Sequence, residues 1–167
     1  MIKPATSDDA QWIADLWNTI ITDTLATFTT TPKTRVEMAA MITKGPVLVL
    51  PDAQGFATFG PFRPGPGYAH TVEHSIFLAP DARGKGQGRA LMQALIDTAR
   101  TQGVHVMVAA ISGANPRAAD FHARSGFEQV ACMPQVGRKA GQWLDLILMQ
   151  KMLGRSTDAT TSPANTV

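Results

Sequence analysis

The chain has 167 residues, 44% of them apolar and 17% charged, with a formal net charge of +2. This is the size and composition of one folded domain with a full core, and it excludes a disordered chain. So small a charge argues against nucleic acid as partner, and a single cysteine, Cys132, excludes an internal disulfide and fits a reducing compartment.

The elements follow in chain order. Ile2 to Ala5 form a short first strand. Ser7 is placed to cap a helix with Asp8 and Asp9 in its first turn and Trp12, Ile13, Leu16 and Ile20 at helical spacing. A threonine-rich loop over 22–32 precedes a second helix over 33–43. Residues 47–50 and 56–62 form a hairpin around Pro51 and Gly55, and 63–67 is a Pro/Gly loop. A strand over 71–78 leads through a glycine-rich turn into a helix over 89–101, with Leu91/Leu95 and Met92/Ile96 at i,i+4 and Gly103 closing it. Residues 104–111 are nearly all apolar, as in a strand buried on both faces. A helix over 115–125 and two last strands, over 127–136 and 142–150 around Gly137 and Gly141, complete the domain. Cys132 lies in an apolar strand-like run and is expected to be buried and inert. Residues 1–153 thus form one α+β sheet domain, and the small polar residues of 154–167 a flexible tail. No segment has the pattern of a signal peptide or a membrane span, so the expected location is the cytoplasm.

The turn between strand and helix is the strongest local signal. Arg83, Gly84, Lys85, Gly86, Gln87, Gly88 and Arg89 place three glycines on alternate positions with basic residues between them. Glycine admits positive φ and close backbone approach, and a helix start offers unpaired N–H groups, so the segment is an anion cradle. Its spacing fits neither the dinucleotide fingerprint nor the Walker loop.

This turn resembles the [QR]-x-x-G-x-[GA] signature of the Gcn5-related N-acetyltransferases (GNAT), whose loop holds the pyrophosphate of acetyl-coenzyme A. The segment from Asn115 to Phe127 is similar to a second block of that family, whose asparagine helps hold the coenzyme. The strand Thr71-Val72-Glu73-His74-Ser75 resembles that of a narrower group, the phosphinothricin and methionine sulfoximine/methionine sulfone N-acetyltransferases. Residues 133–139 and 143–146 resemble that group too. The resemblance implies the GNAT fold, a mixed, mostly antiparallel sheet of about seven strands with about four helices. It also implies acetyl-CoA as cosubstrate, an α-amino group of a small amino-acid-like acceptor, no metal and a homodimer. The match is loose over 17–32, where Thr19, Thr22 and Thr30 stand at positions often acidic, and Phe62 stands where tryptophan is common.

The resemblance assigns roles. Ser75, Ile76, Phe77 and Leu78 would pair with the pantetheine arm as an added strand, with residues 83–89 and Asn115 on the coenzyme. Phe62, Arg63 and the strand residues Thr71, Val72, Glu73 and His74 would contact the acceptor. Glu73 alternates with Ser75 and Phe77 on one strand face. By pattern alone it is either a base whose burial raises its pKa or an outer-face glutamate in a salt bridge; the resemblance favours the base, acting directly or through a water. His74 points to the opposite face and is expected to be a satisfied structural histidine. His122 stands where the family places the group that protonates the leaving thiolate, or it is a surface helix histidine. Arg63 is suited to a carboxylate on the acceptor. None of the four histidines has the spacing of a metal motif. Other readings are acetylation of a protein, a peptide or a polyamine, and a coenzyme A-binding sensor without catalysis.

Overall fold

The computed structural model describes residues 1–154; the expected tail from residue 155 onward lies outside the described residues. The elements are β1 (Lys3–Pro4), α1 (Ala10–Asp23), α2 (Arg35–Lys44), β2 (Val47–Val49), β3 (Gly55–Pro61), β4 (Thr71–Leu78), α3 (Gln87–Thr101), β5 (Val106–Ser112), α4 (Pro116–Arg124), β6 (Glu128–Lys139) and β7 (Gln142–Met152). They form one seven-stranded sheet in the order β1-β2-β3-β4-β5-β7-β6. Every pairing is antiparallel except β4 with β5. The α+β GNAT architecture expected from the sequence is present.

Two cores lie on the two faces of the sheet. On one, Ala10, Ile13 and Ala14 of α1 and Met38 of α2 pack with Val47, Val49 and Phe56, and Trp17, Phe56 and Phe77 stack with centroids 5.1–5.6 Å apart. On the other, Leu91, Met92, Leu95, Ile96 and Ala99 of α3 pack on Ala57, Val72, Met107 and Ile111. These α3 residues recur at i,i+4 and present one stripe to the sheet, as the apolar periodicity requires. The period-2 pleat of β4 therefore sends Phe77 to the first core and Val72 and Leu78 to the second.

Local chemistry sets the helix starts. Thr6, not Ser7, caps the α1 region: the Asp9 carboxylate accepts from the Thr6 N–H at 2.8 Å and from Trp12 Nε1 at 2.9 Å. Thr34 and Glu37 form the same reciprocal box at α2. Helix α1 runs on through Asp23, so Thr19 and Thr22 are helical and their hydroxyls donate to the carbonyls of Asp15 and Asn18. Gly137 is not at a turn. It lies within β6, and Phe28 packs where its side chain would be; the chain reverses at Ala140 and Gly141, both at positive φ. Cys132 is exposed, because β6 is an edge strand that is open along most of residues 128–136.

Leu78, the last residue of β4, is held between two glycines. A Cβ on Gly55 would lie 2.7 Å from Leu78 Cδ2 and 2.7 Å from the Phe77 carbonyl, and one on Gly88 would lie 2.9 Å from Leu78 Cδ1. Gly55 pairs with Leu78, so the strand cannot recede without losing its register. Gly55→Ala is expected to destabilise the protein by about 1–3 kcal/mol, the usual cost of forcing extra volume into packed structure. Denaturant unfolding checks this, and unchanged stability would contradict so close an approach of β3 and β4.

Candidate active site

The site is built where β4 and β5 part. They pair only at Thr71↔Val106, Val72↔Met107 and Glu73↔Val108. Beyond Glu73, β4 continues against β3 alone, while β5 continues against β7 alone. The backbone edges that face each other across this gap, from Ser75 to Leu78 and from Ala109 to Ser112, have no strand partner there. A slot of this kind accepts an extended, amide-bearing ligand as an added strand.

The glycine turn lies just past the open end of β4. Gly84 and Gly86 both have φ near +77°, and a Cβ on either would meet no atom within 4 Å, so their outer side is open. Among the described residues, none of the N–H groups from Gly84 to Arg89 has a hydrogen-bond acceptor; the bonds that bracket them are Arg83 N–H to Pro80 O and Ala90 N–H to Gly86 O. Six consecutive free donors lead into a 15-residue helix, the local arrangement an anion cradle requires. Arg83, Lys85 and Arg89 are exposed, and within the described residues none is in a salt bridge. These features fit a pyrophosphate. Asn115 caps α4, its Oδ1 accepting from Ala118 N–H at 3.3 Å, which leaves its side-chain NH2 for a ligand.

Glu73 ends the paired part of β4. Burial raises its pKa above the ordinary carboxylate value, while the positive charge of Arg63 opposes the rise. The charge of Arg63 is thus felt at Glu73, although the sequence singled out the two residues separately. Arg63 lies over the Phe62 ring at 5.1 Å, and Phe62 meets Tyr68 edge-on at 6.2 Å, so the 62–68 loop is an ordered aromatic wall. Thr71 is partly exposed. Val72 and His74 are 7% and 6% exposed and point into the opposite core, so their side chains do not join Glu73's face.

His74 and His122 meet on that opposite face. Their Nε2 atoms are 3.0 Å apart. His74 Nδ1 lies 2.9 Å from the Val108 carbonyl and His122 Nδ1 2.7 Å from the Ala118 carbonyl. His122 is 5% exposed and is not a surface histidine. Burial pushes both rings below the ordinary histidine range, His74 to about 3, with the neighbouring ring lowering His74 further. No local pattern in the sequence announces this pair, because its members are 48 residues apart.

The α1–α2 loop is also fixed by distant partners. Lys139 Nζ donates to the Thr27 carbonyl at 2.8 Å, and Phe28 covers Gly137. Asn18 bridges to Lys33 in both directions, at 2.7 and 2.9 Å. Among the described residues no cluster of three or more His, Cys, Asp or Glu side chains could hold a metal, and no helix is long and apolar enough to cross a membrane.

The family model of the acetyltransferase (GNAT) family matches residues 15–127. An L-methionine sulfoximine/L-methionine sulfone acetyltransferase of Pseudomonas aeruginosa is 42% identical over 167 residues, covering 95% of this chain and 97% of the relative. A phosphinothricin N-acetyltransferase of Streptomyces coelicolor is 32% identical, covering 91% and 95%. The crystal structure of a GNAT superfamily phosphinothricin acetyltransferase from Sinorhizobium meliloti in complex with acetyl-CoA superposes with a TM-score of 0.88 at 32% identity, covering 98% of this chain and 94% of the other. With a parted β4–β5 pair, an open N–H cradle and these relatives along nearly its whole length, the chain belongs to the GNAT acetyltransferase family.

Proposed function

We infer that the protein transfers an acetyl group from acetyl-CoA to the α-amino group of a small amino-acid-like acceptor of the methionine sulfoximine, methionine sulfone or phosphinothricin type. The observation that carries this is the position of Glu73. It is the last paired residue before the slot, and burial raises its pKa against the opposing positive charge of the exposed Arg63. An acceptor with an ammonium and a carboxylate matches that pair of opposite charges. Relatives named for such acceptors support the reading.

When bound, acetyl-CoA supplies the activated thioester. Residues 84–89 hold its pyrophosphate through their free N–H groups, with Arg83, Lys85 and Arg89 adding charge. The open edge of Ser75, Ile76, Phe77 and Leu78 pairs with the pantetheine amides, and a backbone N–H at this edge suits a developing oxyanion. An ammonium has no lone pair, so Glu73 takes its proton, directly or through a water. A carboxylate with a raised pKa is a better base for this than an ordinary one. The resemblance places the acid for the departing sulfur at His122, whose two ring nitrogens are engaged by the Ala118 carbonyl and by His74 Nε2. Arg63 holds the acceptor's carboxylate as a charge-assisted pair, with Phe62 and Tyr68 beside it.

The cytoplasm, where acetyl-CoA is made available to such enzymes, is the compartment this reading needs, and a homodimer is part of it. Val130, Met133 and Val136 on the edge strand β6 and Trp143 on β7 are exposed apolar side chains, which suit a second copy along that edge.

Glu73→Gln is expected to lower kcat about 10²–10⁴-fold near neutral pH, with a smaller loss above the pKa of the acceptor amine. The parent's rate rises with pH through the raised Glu73 pKa, because only the ionised carboxylate accepts a proton; the variant lacks that limb. Thiol release from acetyl-CoA with methionine sulfoximine, across pH, reads both, and a variant equal to the parent removes Glu73 from the mechanism. Gly86→Val places a β-branched residue at positive φ and should raise the acetyl-CoA KM about tenfold or more, leaving the acceptor KM unchanged. Arg63→Leu should do the converse, raising the acceptor KM about tenfold or more for loss of a charged bond. If a peptide panel is acetylated and amino acids are not, the acceptor assignment fails while the donor site stands.

A further inference from the structure

Helix α1 lies on Glu73's face of the sheet, because Trp17 stacks on Phe77 at 5.1 Å and Phe77 shares that face with Glu73. Helix α3, which the glycine turn feeds, packs on the opposite face. The segment between α1 and α2, residues 24–34, therefore belongs to the side from which an acceptor amine reaches Glu73, and not to the phosphate end of the coenzyme.

Among the described residues this segment has no backbone ladder to hold its shape. The N–H groups of Ala26 and Thr31 donate to the hydroxyls of Thr24 and Thr29, each two residues back. Contacts outside the segment fix its position. Asn18 ties Lys33 back to α1. Phe28 fills a notch at Gly137, where a Cβ would lie 2.5 Å from two of its ring carbons. Lys139 Nζ donates to the Thr27 carbonyl at 2.8 Å. Gly137 and Lys139 are the two buried positions of β6, and both lie under this one loop.

The end of the hairpin that carries them is itself anchored. The Asp145 carboxylate accepts from Gln135 N–H at 2.9 Å inside the bulge between Met133 and Gly137. The Asp145 carbonyl accepts from Gly113 N–H at 2.8 Å, just past β5. Lys139 is 8% exposed, and among the described residues it has no salt bridge. Its ammonium therefore depends on the Thr27 carbonyl, and a charge-assisted bond is what a buried cation needs. Seating the loop also buries the Thr27 hydroxyl without a partner, which is unfavourable. The Phe28 fit and the Lys139 bond together offset that, so the seat depends on both.

We propose that Lys139 is a positioning residue for the acceptor: through Thr27 and Phe28 it seats the α1–α2 segment on the β6–β7 hairpin and closes the acceptor site on the α1 side of Glu73. This rests on the acceptor class and the base proposed above. With its ammonium buried, Lys139 acts through the loop and does not touch the acceptor.

Three variants separate the parts of the clamp. Lys139→Met keeps an unbranched side chain and removes the donor, and Lys139→Arg keeps a charged donor. Gly137→Ala leaves Lys139 in place and fills the Phe28 notch; Gly137 is not at positive φ, so the backbone admits alanine. Lys139→Met and Gly137→Ala should each raise the KM of methionine sulfone about fivefold or more, with the acetyl-CoA KM within about twofold, and Lys139→Arg should recover part of the loss. In the ligand-free protein, amide exchange over residues 24–32 should be about fivefold faster or more in Lys139→Met and Gly137→Ala than in the parent, with residues 84–89 unchanged. An unchanged acceptor KM in folded Lys139→Met overturns the proposal. So does an equal rise in both KM values, which a general loosening of the fold would give. If Lys139→Met does not fold, Gly137→Ala gives the same two readouts. If the parent acetylates no amino acid of this class, the acceptor reading fails, and unchanged exchange over residues 24–32 in the variants overturns the clamp independently of it.

Discussion

The parting of β4 and β5 after three residue pairs is the constraint on which the rest of the site depends. Parallel strands this short hold together because each is anchored on its other side, β4 by seven antiparallel pairs to β3 and β5 by seven to β7. The two halves of the sheet are thus stable without closing on each other. Open backbone edges inside a folded domain carry unpaired donors and acceptors, which water or a ligand must satisfy. The gap leads to a turn with six more N–H groups that have no acceptor among the described residues. An extended ligand with amides at one end and phosphates at the other meets both requirements at once.

The same branch point separates the chemistry by face. Glu73 and His74 are neighbours, and the strand pleat sends one toward the Arg63 loop and the other into the core beneath α4. Glu73 stays near solvent, with burial enough to raise its proton affinity. The histidine pair is walled by aromatic rings, where burial lowers proton affinity. Burial thus acts in opposite senses on the two kinds of group, raising the carboxylate and lowering the imidazoles. Adjacent residues on one strand place these environments back to back.

Local features were legible in the sequence. The alternation of Glu73, Ser75 and Phe77 set the ends and the faces of β4, and the spacing of Gly84, Gly86 and Gly88 located the cradle without a long-range partner. What depended on distant packing was not. His122 looked free to lie on a surface because nothing near it in sequence shows α4 resting against His74. Cys132 is exposed, contrary to the expectation from its apolar run, because such a run does not reveal that β6 lies at the open edge of the sheet. Gly137 resembled a turn residue, but its small size serves the Phe28 ring, more than a hundred residues away in sequence. Thr22 lies in α1 and not in the loop expected over 22–32, and the hydroxyls of Thr19 and Thr22 bond to preceding helix carbonyls, a pattern threonine allows inside a helix.

The central claim is that the open edge of β4 and the turn after it form one continuous coenzyme site. Amide hydrogen exchange of the protein with and without coenzyme A tests it most directly. Exchange is expected to slow for the free amides of residues 84–89 together with the gap-facing amides of residues 75–78, with little change on β6. Protection confined to the turn, or lying on a different face of the sheet, would contradict it.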